Sequence, residues 1–377
     1  MSEQKLKICV LAEANGDHTF VQCEVLKNFG HEVTLISPNK GRCPEGVKHI
    51  ECHVENANGI FGKLRWLFRI YQGVKSAQAD VYHAHYAAEL TTWMAWILRK
   101  KPFVISCLGG DVLFDEQGSQ SFIRRWFTKR ALKKCDYVTV VSHFLGKVVQ
   151  AMGISSQKIQ RVIWGVNTKK FYEIDDDGSF RKQWKIDQDA PLIFSPRQFK
   201  PFYNQGLMIR AFADVLIKMP NAVLTLSTYN QDDEFRTEME SLVDELEVRE
   251  NIRFLPGLNP QEMMLAYNAS DMVLSLPPSD GTPVSVMEAM VCGTPVVMTN
   301  LERFKEFFAH KESALFTPLE QKDIVHNICD LLSNNDLYEC IRTEGKKIIV
   351  ENADLHSQTR ILEEIFYRLL NQGKRTS

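Results

Sequence analysis

The chain has 377 residues, 44% hydrophobic and 24% charged, which excludes a disordered or collagen-like polymer and suits two domains rather than one. Its formal net charge is −2, but residues 1–170 hold 24 Lys/Arg against 14 Asp/Glu, a net of +10 that leaves −12 for the rest. A basic first half is expected to meet something anionic.

The N-terminus, MSEQKLKICVLAEANGDH, holds only a short apolar run, ICVLA, too short for the apolar region of a signal peptide. Within it KICVLA is continuous, as a strand buried on both faces requires. Val21, Val25 and Phe29 then recur at helical spacing, Gly30 closes the helix, and EVTLIS resumes as strand, completing a βαβ unit. The intervening loop, NGDHT at 15–19, lies at the sheet edge where an acceptor or a phosphate is met. Gly16, Asp17 and His18 are therefore candidates for that contact, and His18 equally for a helix cap. The loop lacks G-x-G-x-x-G, which counts against a nicotinamide dehydrogenase.

VKHIECHV, DVYHAH, PFVISCL and DYVTVVS continue the strands, with helical segments between them, and predict a doubly wound parallel sheet. His83 and His85 end one strand, and alternation is expected to send them to opposite faces, with His85 toward the ligand edge or simply structural. Two segments are basic and free of acids, GKLRWLFRIYQGVK (62–75) and FIRRWFTKRALKK (122–134). Both read as amphipathic surface for anionic lipid. A solvated basic helix fits as well, because Arg130 and Lys133 fall on the side of Phe122 and Trp126. No nucleic-acid-reading motif accompanies the charge.

Residues 166–188 lack clear periodicity and read as a connector. Their Asp175–Asp177 run has D-x-D spacing but reads as a solvated turn. A second series follows: PLIFSPR, a helix at 205–218, AVLTLST, NIRFLPG, DMVLSL, a helix at 283–291, PVVMT and ALFTP. The expectation is two Rossmann-like halves, 1–168 and 187–352, sharing one ligand cleft.

The stretch DGTPVSVMEAMVCGTP at 280–295 carries the most chemistry. Thr282-Pro283 reads as a hydroxyl N-cap followed by proline at the first helical position, after the strand DMVLSL. The helix start then offers N–H groups and a positive dipole end to a diphosphate. Glu288 lies roughly 7–8 Å further along, at the reach of a ribose hydroxyl pair, and Asp280 lies across the turn. A capped core helix with a solvated glutamate has the same spacing.

SLPPSDGTPVSVMEAMVCGTPVVMTN resembles the signature of retaining GT-B glycosyltransferases of family four, and the resemblance covers most of the chain. It implies that Glu288 binds the ribose of a nucleotide-sugar donor. Asp280, at a position where the family usually has Glu, would contact the transferred sugar. Gly281, Thr282, Pro283 and Val284 would cradle the diphosphate. SPRQFKPFYNQG resembles the segment whose Arg and Lys neutralise that diphosphate. Arg197 matches it, while Phe202 stands at the usual lysine position and leaves Lys200 as the nearest cation. VISCLGGDV resembles a pattern of His before Gly-x-Asp, so Asp111 becomes a catalytic candidate beside His85, with Leu108 in place of the histidine. NGDHT resembles the family's N-terminal loop, and the resemblance implies that a terminal helix at 355–371 packs back across the first half.

The resemblance implies no required metal, front-face attack assisted by the leaving phosphate, and a glycan, lipid-linked or small-molecule acceptor. Two rivals share the residues: a nucleotide-sugar epimerase and a non-catalytic nucleotide-sugar binder. Nine scattered cysteines without C-x-x-C fit reduced thiols rather than a zinc site or disulfide frame. No run approaches the ~20 apolar residues of a transmembrane helix. The expected location is cytoplasmic, with peripheral contact on the inner membrane face through the basic segments.

Overall fold

The computed structural model describes residues 4–55, 59–114, 121–175 and 177–376. The chain forms two compact units, residues 1–164 with 356–377, and residues 165–355.

The first unit is built on seven strands: β1 (Lys7–Leu11), β2 (Glu32–Ser37), β3 (Lys48–Glu51), β4 (Val81–His85), β5 (Phe103–Cys107), β6 (Tyr137–Val140) and β7 (Ile159–Arg161). They lie in the order β3-β2-β1-β4-β5-β6-β7, every pair parallel. Its helices are α1 (Asp17–Asn28), α2 (Gly59–Ser76), α3 (Leu90–Ile97), α4 (Phe122–Lys134) and α5 (His143–Ala151). The chain steps one way across the sheet from β1 to β3 and the other way from β3 to β6. Right-handed crossovers therefore place α1 on one face and α2, α3 and α4 on the other. There α2 packs against α3, and α3 against α4.

The second unit holds α6 (Ser179–Gln183), β8 (Leu192–Ser195), α7 (Gln205–Lys218), β9 (Val223–Ser227), α8 (Asp233–Glu245), β10 (Ile252–Leu255) and α9 (Pro260–Ala269). It continues with β11 (Met272–Ser275), α10 (Val284–Val291), β12 (Val296–Thr299), β13 (Leu315–Thr317), α11 (Gln321–Ser333) and α12 (Asn335–Asn352). Its six parallel strands follow the order β10-β9-β8-β11-β12-β13. Met208, Phe212 and Val215 of α7 and Ile324 and Ile328 of α11 pack with Leu224 and Leu274 of the sheet in one core.

The connector is not a bare linker. Residues 165–186 belong to the second unit, where α6 buries Phe180, and Arg181 bonds the carbonyls of Ala190 and Ala269 and the Asp271 carboxylate. The pattern is hidden in sequence because a helix of five residues is too short to show a period. The last helix, α13 (Leu355–Thr376), joins the core of the first unit through Leu362, Ile365 and Phe366, alongside Leu6, Val10, Cys23 and Leu26. A buried pair fixes it there: Glu363 Oε1 lies 2.7 Å from His31 Nε2, and His31 Nδ1 accepts from the Leu6 N–H at 3.3 Å.

Candidate active site

In the second sheet the chain runs from β8 outward to β9 and β10, then returns to lay β11 on the other flank of β8. This is a topological switch point, where loops at the carboxyl ends of neighbouring strands part and leave room for a ligand. The loop after β8 carries Arg197 and the loop after β11 carries Asp280. Arg197 Nη2 donates to Asp280 Oδ2 at 2.8 Å, and Nη1 donates to Ser285 Oγ, in the first turn of α10, at 3.2 Å. Its guanidinium also stands 4.8 Å from the centre of the Tyr203 ring. The two charged side chains are 12% and 13% exposed, so the pair is largely shielded and far from the weak ion pairs of open surface.

The start of α10 differs from expectation. Pro283, not Thr282, is the N-cap, with φ −81° and ψ 73°, and no side chain caps the helix. Thr282 falls one residue too early for its hydroxyl to reach the first-turn N–H groups. That hydroxyl oxygen is buried without a partner among the described residues. A buried orphan of this kind costs ~1–3 kcal/mol unless something meets it. Gly281 and Val284 are half-buried in the same turn.

One turn into α10, Glu288 Oε2 accepts from the Tyr267 hydroxyl at 3.1 Å. Tyr267 is fully buried, and burial followed by the nearby Glu288 charge holds its hydroxyl well above the ordinary tyrosine range. It therefore stays a donor and fixes one oxygen of the carboxylate. Tyr267 was not singled out in the sequence, since LAYNASD reads as ordinary helix end. Lys200, at the start of the 3-10 turn Pro201–Tyr203, forms no ion pair with Asp280 or Glu288 among the described residues. The structure thus brings together Arg197, Asp280, Ser285 and the 281–284 turn, and leaves Lys200 outside that group.

In the first unit, Gly16 is the N-cap of α1 in extended conformation, and Asp17 is the first helical residue, its side chain outside those described. His18 stands edge-on to Trp164 with ring centres 5.4 Å apart. His83 and His85 do not point to opposite faces. Residues two apart on a strand share a face, and these rings lie 4.7 Å apart. His83 Nε2 meets Ser106 Oγ at 2.7 Å, and His85 Nδ1 meets Thr19 Oγ1 at 3.4 Å. Burial lowers the pKa of both, of His83 to about 3, so each is neutral. His85 Nε2 is buried without a partner among the described residues.

Asp111, expected as a catalytic candidate, is turned inward. It is completely buried, and its carboxylate accepts backbone N–H bonds from Ala87 at 2.7 Å, Gly109 at 2.9 Å and Leu108 at 3.1 Å. Burial raises its pKa against the pull of those donors. The side chain ties the loops after β4 and β5 together and presents no oxygen to a substrate, so it is a positioning residue. Beside it stand Tyr86, whose backbone φ is 75°, and Glu89. Burial and repulsion from Glu13 and Asp111, opposed by Arg124, push the Glu89 carboxyl up to about 7. Neither Tyr86 nor Glu89 was identified from sequence. The Asp175–Asp177 run includes residue 176, outside the described residues. Among the described residues no group of three His, Cys, Asp or Glu side chains is arranged to hold a metal.

Two parallel α/β sheets, one with an anion-suited helix start at its switch point, define a class of enzymes that handle phosphorylated nucleotides. Residues 176–348 match the family model described as glycosyl transferases group 1, and residues 7–142 match glycosyl transferase 4-like. Fold and matches together place the chain among the GT-B glycosyltransferases.

The chain is 20% identical over 302 residues to N-acetyl-alpha-D-glucosaminyl L-malate synthase of Bacillus anthracis, covering 78% of this chain and 76% of that protein. It spans little more than half the length of other curated relatives, 56% and 58%. Sucrose-phosphate synthase from Thermosynechococcus elongatus has the same fold at TM-score 0.80 and 17% identity, over 98% of this chain and 100% of that one. Alr3699/HepE of Anabaena, solved in complex with UDP-glucose, matches at TM-score 0.80 and 16% identity, over 97% and 100%.

Proposed function

We propose that this glycosyltransferase moves a sugar, with retention of anomeric configuration, from a nucleoside diphosphate sugar to a glycan, lipid-linked or small-molecule acceptor. The observation that carries the reading is the group at the second switch point: Arg197 bonded to Asp280 and Ser285, the orphaned Thr282 hydroxyl, and Glu288 held by Tyr267. A diphosphate at the start of α10 would take the Thr282 hydroxyl as donor and Arg197 as counter-charge. Glu288 would accept from the ribose hydroxyls with its second oxygen. As phosphate draws Arg197 toward itself, Asp280 is released to a hydroxyl of the transferred sugar.

The protein's work in this scheme is to hold the donor and to stabilise charge gathering on the leaving diphosphate. With Asp280 engaged by a sugar hydroxyl and Glu288 by the ribose, neither carboxylate of the group is left to attack the anomeric carbon, which favours front-face attack assisted by the leaving phosphate. Arg197 and the helix end supply the positive charge, so turnover is expected to persist under a chelator. The UDP-glucose carried by the Anabaena structure supports the donor class.

A thermal-shift panel of nucleoside diphosphates and their sugars tests the reading, since a ligand at about a hundred times its Kd stabilises by ~2.7 kcal/mol. One base should stand out, and Glu288→Ala should abolish its shift. An undiminished shift in that variant, or product of inverted configuration by proton NMR, would overturn the proposal.

A further inference from the structure

We infer that the first unit carries a docking surface for an anionic bilayer, formed by the N-terminal halves of α2 and α4. The argument begins with the faces of α2. Its buried side holds Ile70, Gly73 and Val74. On the opposite side, spaced i, i+3 and i+7, stand Phe61, Leu64 and Phe68, exposed by 88%, 56% and 56%. A helix that is apolar toward its own core and apolar again toward the outside needs a second apolar phase.

Its charges lie on the flanks. By the 100° step of the helix Arg65 and Arg69 fall to one side of that outer stripe and Lys63 to the other, and the helix holds no acid. Basic residues edging an outward apolar stripe suit a membrane surface, the stripe entering lipid while the cations meet phosphate.

α4 repeats the design along its length rather than around it. Phe122, Ile123 and Trp126 are exposed in its first turns, while Arg130 and Lys133 take over the same outer side further on. The guanidinium of Arg130 lies 5.1 Å from the Trp126 ring centre. This resolves the imperfect wheel of the sequence: apolar and basic residues share a side but occupy successive depths. Apolar tips below and cations above match the order of acyl chains and phosphates met on entering a leaflet.

The two helices work from one surface. α2, α3 and α4 form a layer on one face of the sheet. A helix that follows a parallel strand runs back against it, so the N-terminal ends of α2 and α4 both lie at the carboxyl edge of that sheet. Ten basic residues and no carboxylate in the two helices commit the surface to an anionic partner. A protein interface core would be depleted of such charge, and a nucleic acid would leave the phenylalanines in water. Among the described residues no helix is long and apolar enough to cross a membrane, so the contact is a resting one.

Vesicle flotation of the full chain tests this without reference to sugar transfer. With phosphatidylcholine vesicles containing phosphatidylglycerol, binding should be about tenfold stronger than with phosphatidylcholine alone and should weaken as salt rises. Phe61→Ser with Phe68→Ser, and separately Ile123→Ser with Trp126→Ser, should each cut binding about tenfold or more. The α2 variant should keep the parent melting temperature, since its side chains already face water, and the α4 variant should remain folded with a slightly lower one, since Trp126 also packs on Trp96. Equal binding to both vesicle types, or no loss in either variant, overturns the inference. So does a concentration-dependent dimer that the same substitutions dissolve, because the stripe would then be covered by a second copy.

Discussion

Glu288 shows how much of a single residue's role depends on what stands behind it. The carboxylate was legible from its place in DGTPVSVMEAM, but the Tyr267 hydroxyl that orients it comes from another helix, 21 residues earlier. Nothing in LAYNASD marks that tyrosine, because its value lies in tertiary proximity. Tyr267→Phe keeps the shape and removes one O–H bond to a charged group, a contact worth ~1.5–3 kcal/mol. Donor affinity should fall about tenfold by calorimetry, and the melting temperature should fall by only a few degrees; undiminished affinity would show that the hydroxyl does not position Glu288.

Glu89 offers a pH test in the first unit. Its carboxyl, normally near 4.5, is pushed up to about 7, first by burial and then by Glu13 and Asp111. A carboxyl raised in the folded state stabilises the fold while protonated. That contribution is full below 4.5 and is lost as pH climbs through about 7. Glu89→Gln stays neutral, so it should gain on the parent between about pH 5 and about pH 8, by ~2 kcal/mol once partial exposure is discounted. Denaturant titrations at the two pH values measure the gain, and an equal difference at both would remove the assigned shift. His83 and His85 teach the complementary lesson. Period two puts them on one face, and their burial as a neutral pair draws on Trp164 beside His85 and Phe366 beside His83, both far along the chain.

At the scale of elements, strands buried on both faces were plain as continuous apolar runs such as KICVLA and PFVISCL. β7, with the sequence IQR at the sheet edge and half-buried throughout, carries no such run and was missed. α10 was legible in existence but not in its first residue, because the ψ of Pro283 decides the cap and no residue pattern encodes it. The return of α13 to the first core was expected from resemblance. Its physical basis is a buried stripe of Leu362, Ile365 and Phe366 whose partners are Leu6 and Val10. Phe366 is fully buried there, so Phe366→Ala should cost ~3–5 kcal/mol. The loss should appear in the melting transition of the first unit and leave untouched the transition that nucleoside diphosphate raises. A drop in the diphosphate-sensitive transition would mean that α13 supports the other core.

The whole molecule is one chain arranged as a continuous unit inserted into a discontinuous one. Residues 165–355 enter and leave side by side: Val166 N–H donates to Ala353 O at 2.8 Å, and Leu355 N–H donates to Val166 O at 2.8 Å. Gly165 permits that approach, because a Cβ there would come within 2.4 Å of Ala353 O. The core of this unit draws on its own helices and strands from Ile193 to Ile341, and Arg197, Tyr267, Asp280, Thr282 and Glu288 all lie inside it. The first unit, by contrast, is incomplete without a helix that the chain supplies last. Residues 165–355 made alone should therefore fold cooperatively and bind the preferred nucleoside diphosphate within about threefold of the full chain, a difference under ~1 kcal/mol. Residues 1–164 made alone should not fold, for want of Phe366 and Glu363. Thermal melts of both fragments with the diphosphate decide the matter. A folded 165–355 fragment without affinity would show that the Arg197, Thr282 and Glu288 group is not sufficient to hold the nucleotide.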